Sequence, residues 1–440
     1  MQTPTRADAY RVAALIAFSV ILVVFIETFS LEKMSFLYKN VLHLNASDMG
    51  TLGIFLGIPA YLRPFMGAGS DIFPILGFHR RSYYALAFAL LGISFLGLSL
   101  VHSYNLWSVA ALALVVATGS NLLFVIMDAV MVTVGNATGT VSRLQTVQQF
   151  LQPVLGFSLA HLRGWVTQHW SYQMCFSAAA GVAFLGIPLA LLIKERRQVK
   201  TREVNETPEQ HEARMAAKRE DRARASAALA KAIRSPGLWA MAAFIFYLII
   251  TPGTGYALFY YEVDSLHFSK QFIGDLGMPR AAGAIAGIAL FAFASPKMPV
   301  KVAIWAAYLM DCMLYVIHFF IYSQHSAMVA LFCAGVVGSI YILSLLTVAA
   351  RATPKAVEGA IYGLLMASIG LAGALGEKIG SSLYEYFGPS HHYTTGHGWH
   401  WLLGIGLAFT LAAAIFIPFL PAWTRSNVPL GELRGEPTTS

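Results

Sequence analysis

Twelve apolar stretches, each long enough to cross a bilayer, divide evenly around one hydrophilic break from Lys194 to Ser235. A hydrocarbon core of about 30 Å needs about 20 apolar residues per helix. Spans are expected near residues 11–30, 49–70, 83–101, 106–134, 141–165 and 172–193. They resume near 237–263, 271–294, 302–322, 326–350, 359–387 and 399–422. Backbone amides find no water at membrane depth, so spans this apolar must be helices. The expectation is an all-α membrane protein of two six-helix bundles, residues 1–193 and 237–423. A cytoplasmic basic linker, 194–236, and a tail, 424–440, complete it. The chain is 57% hydrophobic and 12% charged, where soluble domains carry about 25% charged residues. That deficit excludes a soluble fold. No cleavage site follows the first span, which reads as a retained helix.

Basic residues fall on alternate loops and so fix an orientation. Arg6, Arg11, Arg80, Arg81, Arg143, the linker from Lys194 to Arg234, Lys297, Lys301, Arg351, Lys355, Arg425 and Arg434 share one side. The opposite loops are expected to hold few basic residues, mainly Lys33, Lys39 and Lys270. Both termini are therefore expected in the cytoplasm, with the protein multi-pass in the inner (plasma) membrane. The net charge of +8 then describes topology and attraction to anionic lipid, not nucleic-acid binding. The stretch 206–234, rich in Ala, Arg and Glu, reads as a solvated or membrane-surface helix.

Histidines crowd the other side: His43, His102, His169, His267, His325, His391, His392, His397 and His400. No acid or cysteine accompanies them at metal-ligand spacing, so they read as polar loop residues. Cys175, Cys312 and Cys333 lie inside apolar spans and read as core residues. No metal or cofactor is expected. There is no G-x-x-x-x-G-K-[ST] loop to take ATP and no credible nucleophile-base set, so the chain is not read as an enzyme.

An ionisable side chain at bilayer depth costs about 2.5–3.5 kcal/mol, so it normally faces a partner or a watery cavity. Glu27, Arg63, Asp128, Arg280, Asp311, Glu377 and Lys378 qualify. Arg280, about ten residues into its span, is too deep to snorkel, and its planar fork suits a carboxylate or phosphate. It reads as the counter-charge of an anionic cargo, or as an internal partner of Asp311 or Glu377. Glu27 reads as a cavity carboxylate that contacts cargo or binds a proton, or as a snorkelling residue near the interface. Asp311 and Glu377 are candidate proton sites. Lys378, turned about 100° from Glu377 on a helix, is a candidate cargo contact. Arg63 and Asp128 fit a structural charge network better. In the seventh span Pro252, Gly253 and Gly255 weaken the helix beside Tyr256, a candidate cavity aromatic; Tyr260 and Tyr261 fit a belt or gate. Glycines 359, 363, 370, 373, 376 and 380 give the eleventh span a small-residue face for close, sliding contact.

The segment from Arg63 to Arg81 carries Gly67, Asp71, Arg80 and Arg81, with Phe73-Pro74-Ile75-Leu76-Gly77 between acid and basic pair. A glycine followed four residues later by an aspartate, then a basic pair, resembles the gating loop of the major facilitator superfamily. The stretched form resembles the folate-biopterin transporter branch. The stretches 251–262, 266–274 and 353–369 and the Asp128-Ala129 pair are similar to segments of that family. Asn121 stands where members often carry another acid. The resemblance implies an alternating-access secondary transporter of a small organic anion, folate- or pterin-like, coupled to protons. A monomer in the lipid bilayer is expected. The alternatives are a pigment-complex assembly factor on the same fold, and a carrier of an unrelated small molecule.

Overall fold

A computed structural model of the chain describes residues 6–195, 230, 234–351, 358–421 and 424. Every element named there is helical, apart from an isolated two-residue bridge. The first half runs α1 (Arg6–Asn40), α2 (Ala46–Leu56), α3 (Ile58–Tyr61), α4 (Arg63–Ile72), α5 (Arg81–Leu100), α6 (Leu106–Thr138), α7 (Val141–His169) and α8 (Tyr172–Gly186). The second half runs α9 (Pro236–Ile249), α10 (Gly255–Tyr260), α11 (Lys270–Asp275), α12 (Gly277–Ala294), α13 (Val300–His318), α14 (Gln324–Arg351), α15 (Glu358–Tyr386) and α16 (Thr395–Ala412). Among the described residues, eight helical stretches are long and apolar enough to cross a membrane. The other four expected spans fall on the pieces α2–α4 and α9–α10 and on the more polar α7 and α15.

Local chemistry explains the broken pieces. Pro59 and Pro64 each stand in the first turn of a new helix, which splits the second span into α2, α3 and α4. Proline has no N–H to continue the ladder of the preceding turn. The last piece, α4, runs to Ile72, two residues past the expected end of the span. The Phe-Pro-Ile-Leu-Gly insertion that follows closes on itself: Leu76 (φ 53°) and Gly77 (φ 83°) form the turn. Ile75 and Phe78 exchange backbone hydrogen bonds of 3.1 and 3.0 Å across it. Positive φ at both central positions is what a two-residue hairpin turn requires. Beside it, Glu195 accepts from the amides of His79, Arg80 and Arg81 at 2.7, 2.9 and 3.1 Å. A carboxylate is favoured there because the first amides of a helix lack partners and carry positive dipole. The start of the linker is thereby tied to the loop.

The first helix runs ten residues past its apolar stretch. Lys33 and Lys39 thus lie within α1 rather than in a loop. Lys33 is buried and donates to the carbonyls of Thr167, at 2.9 Å, and Trp170. These belong to the last turn of α7 and the residue after it, and a cation suits a helix C-terminus.

Two ends of the bundle can be told apart by composition. Loops 41–45, 101–105, 266–269 and 387–394 define the histidine end; Arg80, Arg81, Arg143 and Arg234 mark the arginine end. One continuous apolar core runs the length of the first half, through Leu15, Phe88 and Phe176, and takes in the histidine end of the second through Tyr261, Tyr315, Leu331 and Trp399. At the arginine end the second half keeps a separate core of Met241, Phe244, Leu248, Ile304, Tyr308 and Leu345. Across the halves, α2 packs on α15, and α7 packs on α11 and α12.

Candidate functional site

The seventh span breaks between Ile249 and Gly255. Pro252 cannot donate to the Leu248 carbonyl. Instead that oxygen accepts from the hydroxyls of Tyr341 and Thr251, both at 3.1 Å. The Pro252 carbonyl takes the Tyr315 hydroxyl at 2.7 Å, and the Gly253 amide reaches the Gly376 carbonyl at 2.8 Å. The Glu377 carboxylate accepts from Gly255 and Tyr256 at 3.2 and 3.3 Å, capping the first amides of α10. The Leu248 and Pro252 carbonyls and the Gly253, Gly255 and Tyr256 amides thus take partners from α13, α14 and α15, which lowers the cost of the break in a non-aqueous setting. Gly376 and Gly380 permit this: a methyl on either would strike the backbone of 249–253.

Below the histidine end, charges from both halves face one another. Glu27 and Glu32 come from α1, Arg163 from α7, Glu262 from a single π turn after α10, Arg280 from α12, His318 from α13 and Glu377 from α15. Arg163 interacts electrostatically with Glu27 and Glu32. Arg280 does so with Glu32, Glu262, Glu377 and His318. Yet among the described residues no ion pair within 4 Å joins any of these acids to either guanidinium. The Arg163 Nε is sealed from solvent and has no hydrogen-bond partner. At about 1.5 Å per residue, Arg163, Glu32, Glu377 and Glu27 lie roughly 9 to 20 Å below the histidine ends of their helices, and Arg280 lies about 15 Å beyond the start of α11. Arg280 is exposed at that depth, and its charge acts on the acids of α1, α15 and the π turn.

A seal covers this cleft. Lys39 pairs with Asp264 at 2.6 Å and lies over the Tyr260 ring, whose hydroxyl donates to the Leu44 carbonyl. Lys378 donates to the carbonyl and hydroxyl of Ser47 at 2.9 and 2.7 Å, and the Ala46 amide donates to Glu385 at 2.9 Å. The α7 seam shows how the contact changes with depth. A methyl at Gly164 would strike the Gln271 carbonyl; one at Gly277 would stand 3.2 Å from the Ala160 Cβ; one at Gly156 would meet nothing within 4 Å. Residues 156, 160 and 164 share one helix face. Along α7 the contact between the halves is therefore tight at the histidine end and loosens toward the other, while on the α15 side Gly370 and Gly363 stay at van der Waals distance from Tyr61 and Pro64. On the partner seam a methyl at Gly50 would stand 2.9 Å from the Lys378 Cα, whereas at Gly363 the nearest atom, in Pro64, is 3.8 Å away.

The remaining sequence candidates lie elsewhere. Asp311 is buried between α13 and α16 and accepts from the Thr410 hydroxyl at 3.3 Å. Arg63 donates to Asn121 at 2.6 Å, and its charge interacts with that of Asp128, which accepts from Gln148 at 3.3 Å. That network lies toward the arginine end, with Gly67 on α4 3.6 Å, as a methyl, from Val125. Arg80 donates to the Ser70 hydroxyl at 2.8 Å and Arg81 lies over the Phe78 ring. The Asp71 side chain, the stretch 352–357 and most of the linker and tail lie outside the described residues. Tyr256 seats its hydroxyl over Gly53 on α2, crossing between the halves. Sequence reasoning missed Glu32, Arg163, Glu262 and His318. Arg163 was visible as a charge inside an expected span, whereas Glu32 and Glu262 stood at or past expected span ends.

The sequence pattern of the BT1 family matches residues 25–427. The chain belongs to the BT1 family. Among similar proteins, a folate-biopterin transporter of Synechocystis sp. is 27% identical over 371 residues, 80% of this chain and 71% of that protein. Folate transporter 1 of Plasmodium falciparum is 21% identical over 363 residues, 80% of this chain and 68% of that one. A D-xylose-proton symporter superposes with a TM-score of 0.69 at 13% identity, covering 94% of this chain and 98% of the other. A nucleoside transporter superposes at 0.63 with 12% identity, covering 92% and 100%. These structures share the major facilitator fold. This BT1 member is accordingly a multi-pass membrane transporter and not an enzyme.

Proposed function

We propose that the chain is an alternating-access secondary transporter that carries a small organic anion with a planar ring, of the folate or pterin class, and is driven by protons. One observation carries the reading: ionisable groups of both bundles face a common cleft without pairing directly. Leaving such charges uncompensated is costly, so they serve a ligand or a proton. The graded parting of the α7 seam supports an accessible state at the arginine end. The bias of basic residues to alternate loops supports a cytoplasmic reading of that end, both termini and the linker, in the inner membrane. The names of the two relatives support the cargo class.

Arg280 takes the anion, since a guanidinium stays charged and offers a bidentate fork. Tyr256 offers a ring for stacking. Glu27 contacts cargo or carries a proton. Lys378 holds the seal in this state and becomes a cargo contact once Ser47 leaves it. Glu377 and Asp311 are further proton sites: protonating Glu377 would remove acceptor strength from the cap of α10 and loosen the break. The test is ligand-induced thermal stabilisation across folates, pterins, nucleotides and peptides, together with uptake at several pH values by Asp311→Asn and Glu377→Gln. Stabilisation by nucleotides or peptides alone would defeat the cargo assignment. A pH profile identical to wild type in both variants would remove those acids from the coupling.

A further inference from the structure

Three features of the cleft are not used by that assignment. Arg163 reaches it from the first bundle as Arg280 does from the second, so the two guanidiniums stand on opposite sides of the surface along which the halves rock. The Arg163 Nε is buried with no partner, and an unsatisfied charged donor is costly unless a ligand completes it. Among the described residues, Glu32 is the acid whose charge interacts with both arginines.

We infer that Arg163 and Arg280 form a cross-bundle clamp for a cargo bearing two carboxylates, and that Glu32 between them is the internal anion this cargo displaces. The inference deepens the transporter reading and rests on it. Two forks offer donors for four acceptor oxygens, which two carboxylates supply and one does not. A clamp with one jaw on each bundle also explains how cargo binding biases the rocking motion, because its grip depends on the spacing of the halves. When ionised, Glu32 competes for both jaws. It binds cargo-compatibly once it takes a proton from the solvent side, becoming a neutral carboxyl, and it returns that proton when cargo leaves. The charged groups facing it are Arg163 on α7, Arg280 on α12 and Glu262 on the π turn, with Glu27 nearby on α1.

The experiment measures binding to the purified full chain in lipid nanodiscs of three ligands sharing a pterin ring: folic acid with two carboxylates, pteroic acid with one, and biopterin with none. Wild type should prefer folic acid over pteroic acid by about tenfold, the worth of one good charge-assisted pair. Arg163→Gln should erase that preference, with an independent thermal melt of the variant reporting its folding. Arg163→Lys should retain part of it. Glu32→Gln should bind folic acid more tightly at neutral pH and flatten the pH dependence of that affinity. A wild-type preference that survives Arg163→Gln overturns the clamp but leaves the transporter reading standing. An unchanged pH profile in Glu32→Gln overturns the role of Glu32. Failure of the wild type to bind any of the three overturns the cargo reading and the clamp with it.

Discussion

The two ends of the molecule are built from similar helices but solve opposite problems. At the histidine end the cores of both halves merge, and Phe36 meets Phe259 edge-on with centroids 5.1 Å apart. At the arginine end the second half closes on itself through Met241, Ile304 and Leu345. The border between these cores crosses α9–α10 between Leu248 and Ala257, where the helix is broken. It crosses α13 between Cys312 and Tyr315 and α14 between Val337 and Leu345. A helix freed of its ladder at that level lets the sealed cap and the lower core move without shearing one packed unit. Packed interiors are bistable rather than continuously deformable, so the flexible element belongs at their boundary.

The largest effect is expected in the cleft between the two ends. Arg280→Gln should abolish ligand-induced thermal stabilisation, a loss of about 2–5 kcal/mol typical of a desolvated charge pair. Arg63→Gln, in the network toward the arginine end, should preserve it. Equal losses would show that the two ends are not distinct in function.

The next test sets the seams against each other. Gly164→Leu forces overpacking of about 1–3 kcal/mol at the closed seam. The distance between spin labels at the exposed positions Gln168 and His325 should then lengthen. Gly156→Leu, two turns nearer the arginine end, should leave that distance unchanged and keep ligand binding, yet slow transport because the open end can no longer shut. Matching label distances in both variants would erase the contrast.

At the border, Tyr341→Phe removes one of two hydroxyls on the Leu248 carbonyl. It should lower stability by about 1 kcal/mol, read from a thermal melt, with Thr251 holding the remainder. The smallest effect is expected for His161→Ala, which deletes the 2.9 Å bridge to Asp275 across the closed seam. With the imidazole exposed, removal should change the label distance distribution little, since surface pairs contribute at most about 1 kcal/mol.

Much of this was legible in the chain. Pro252 with Gly253 and Gly255 announced the broken helix, because a missing N–H and two missing side chains act locally whatever surrounds them. The glycines of the eleventh span announced close packing, and Gly376 and Gly380 indeed lie against that break. Arg280 stood out through depth alone. Glu32 did not, because the apolar run ends before it and hydropathy cannot tell that α1 continues to Asn40. The α1 extension is held by a partner 134 residues away, the Thr167 carbonyl that receives Lys33.

Sequence by itself determined the membrane class, the helices and the residues too charged for lipid to tolerate, since each follows from short-range composition and the cost of unsatisfied groups in hydrocarbon. Only the tertiary structure decided which of those charges meet. It placed Glu32, Arg163, Glu262 and Arg280 around one cleft, left Asp311 to Thr410, and set Glu377 on the amides of α10. The physical reason is that such encounters depend on rotation and translation of whole helices across the interface between the halves, which no local pattern encodes.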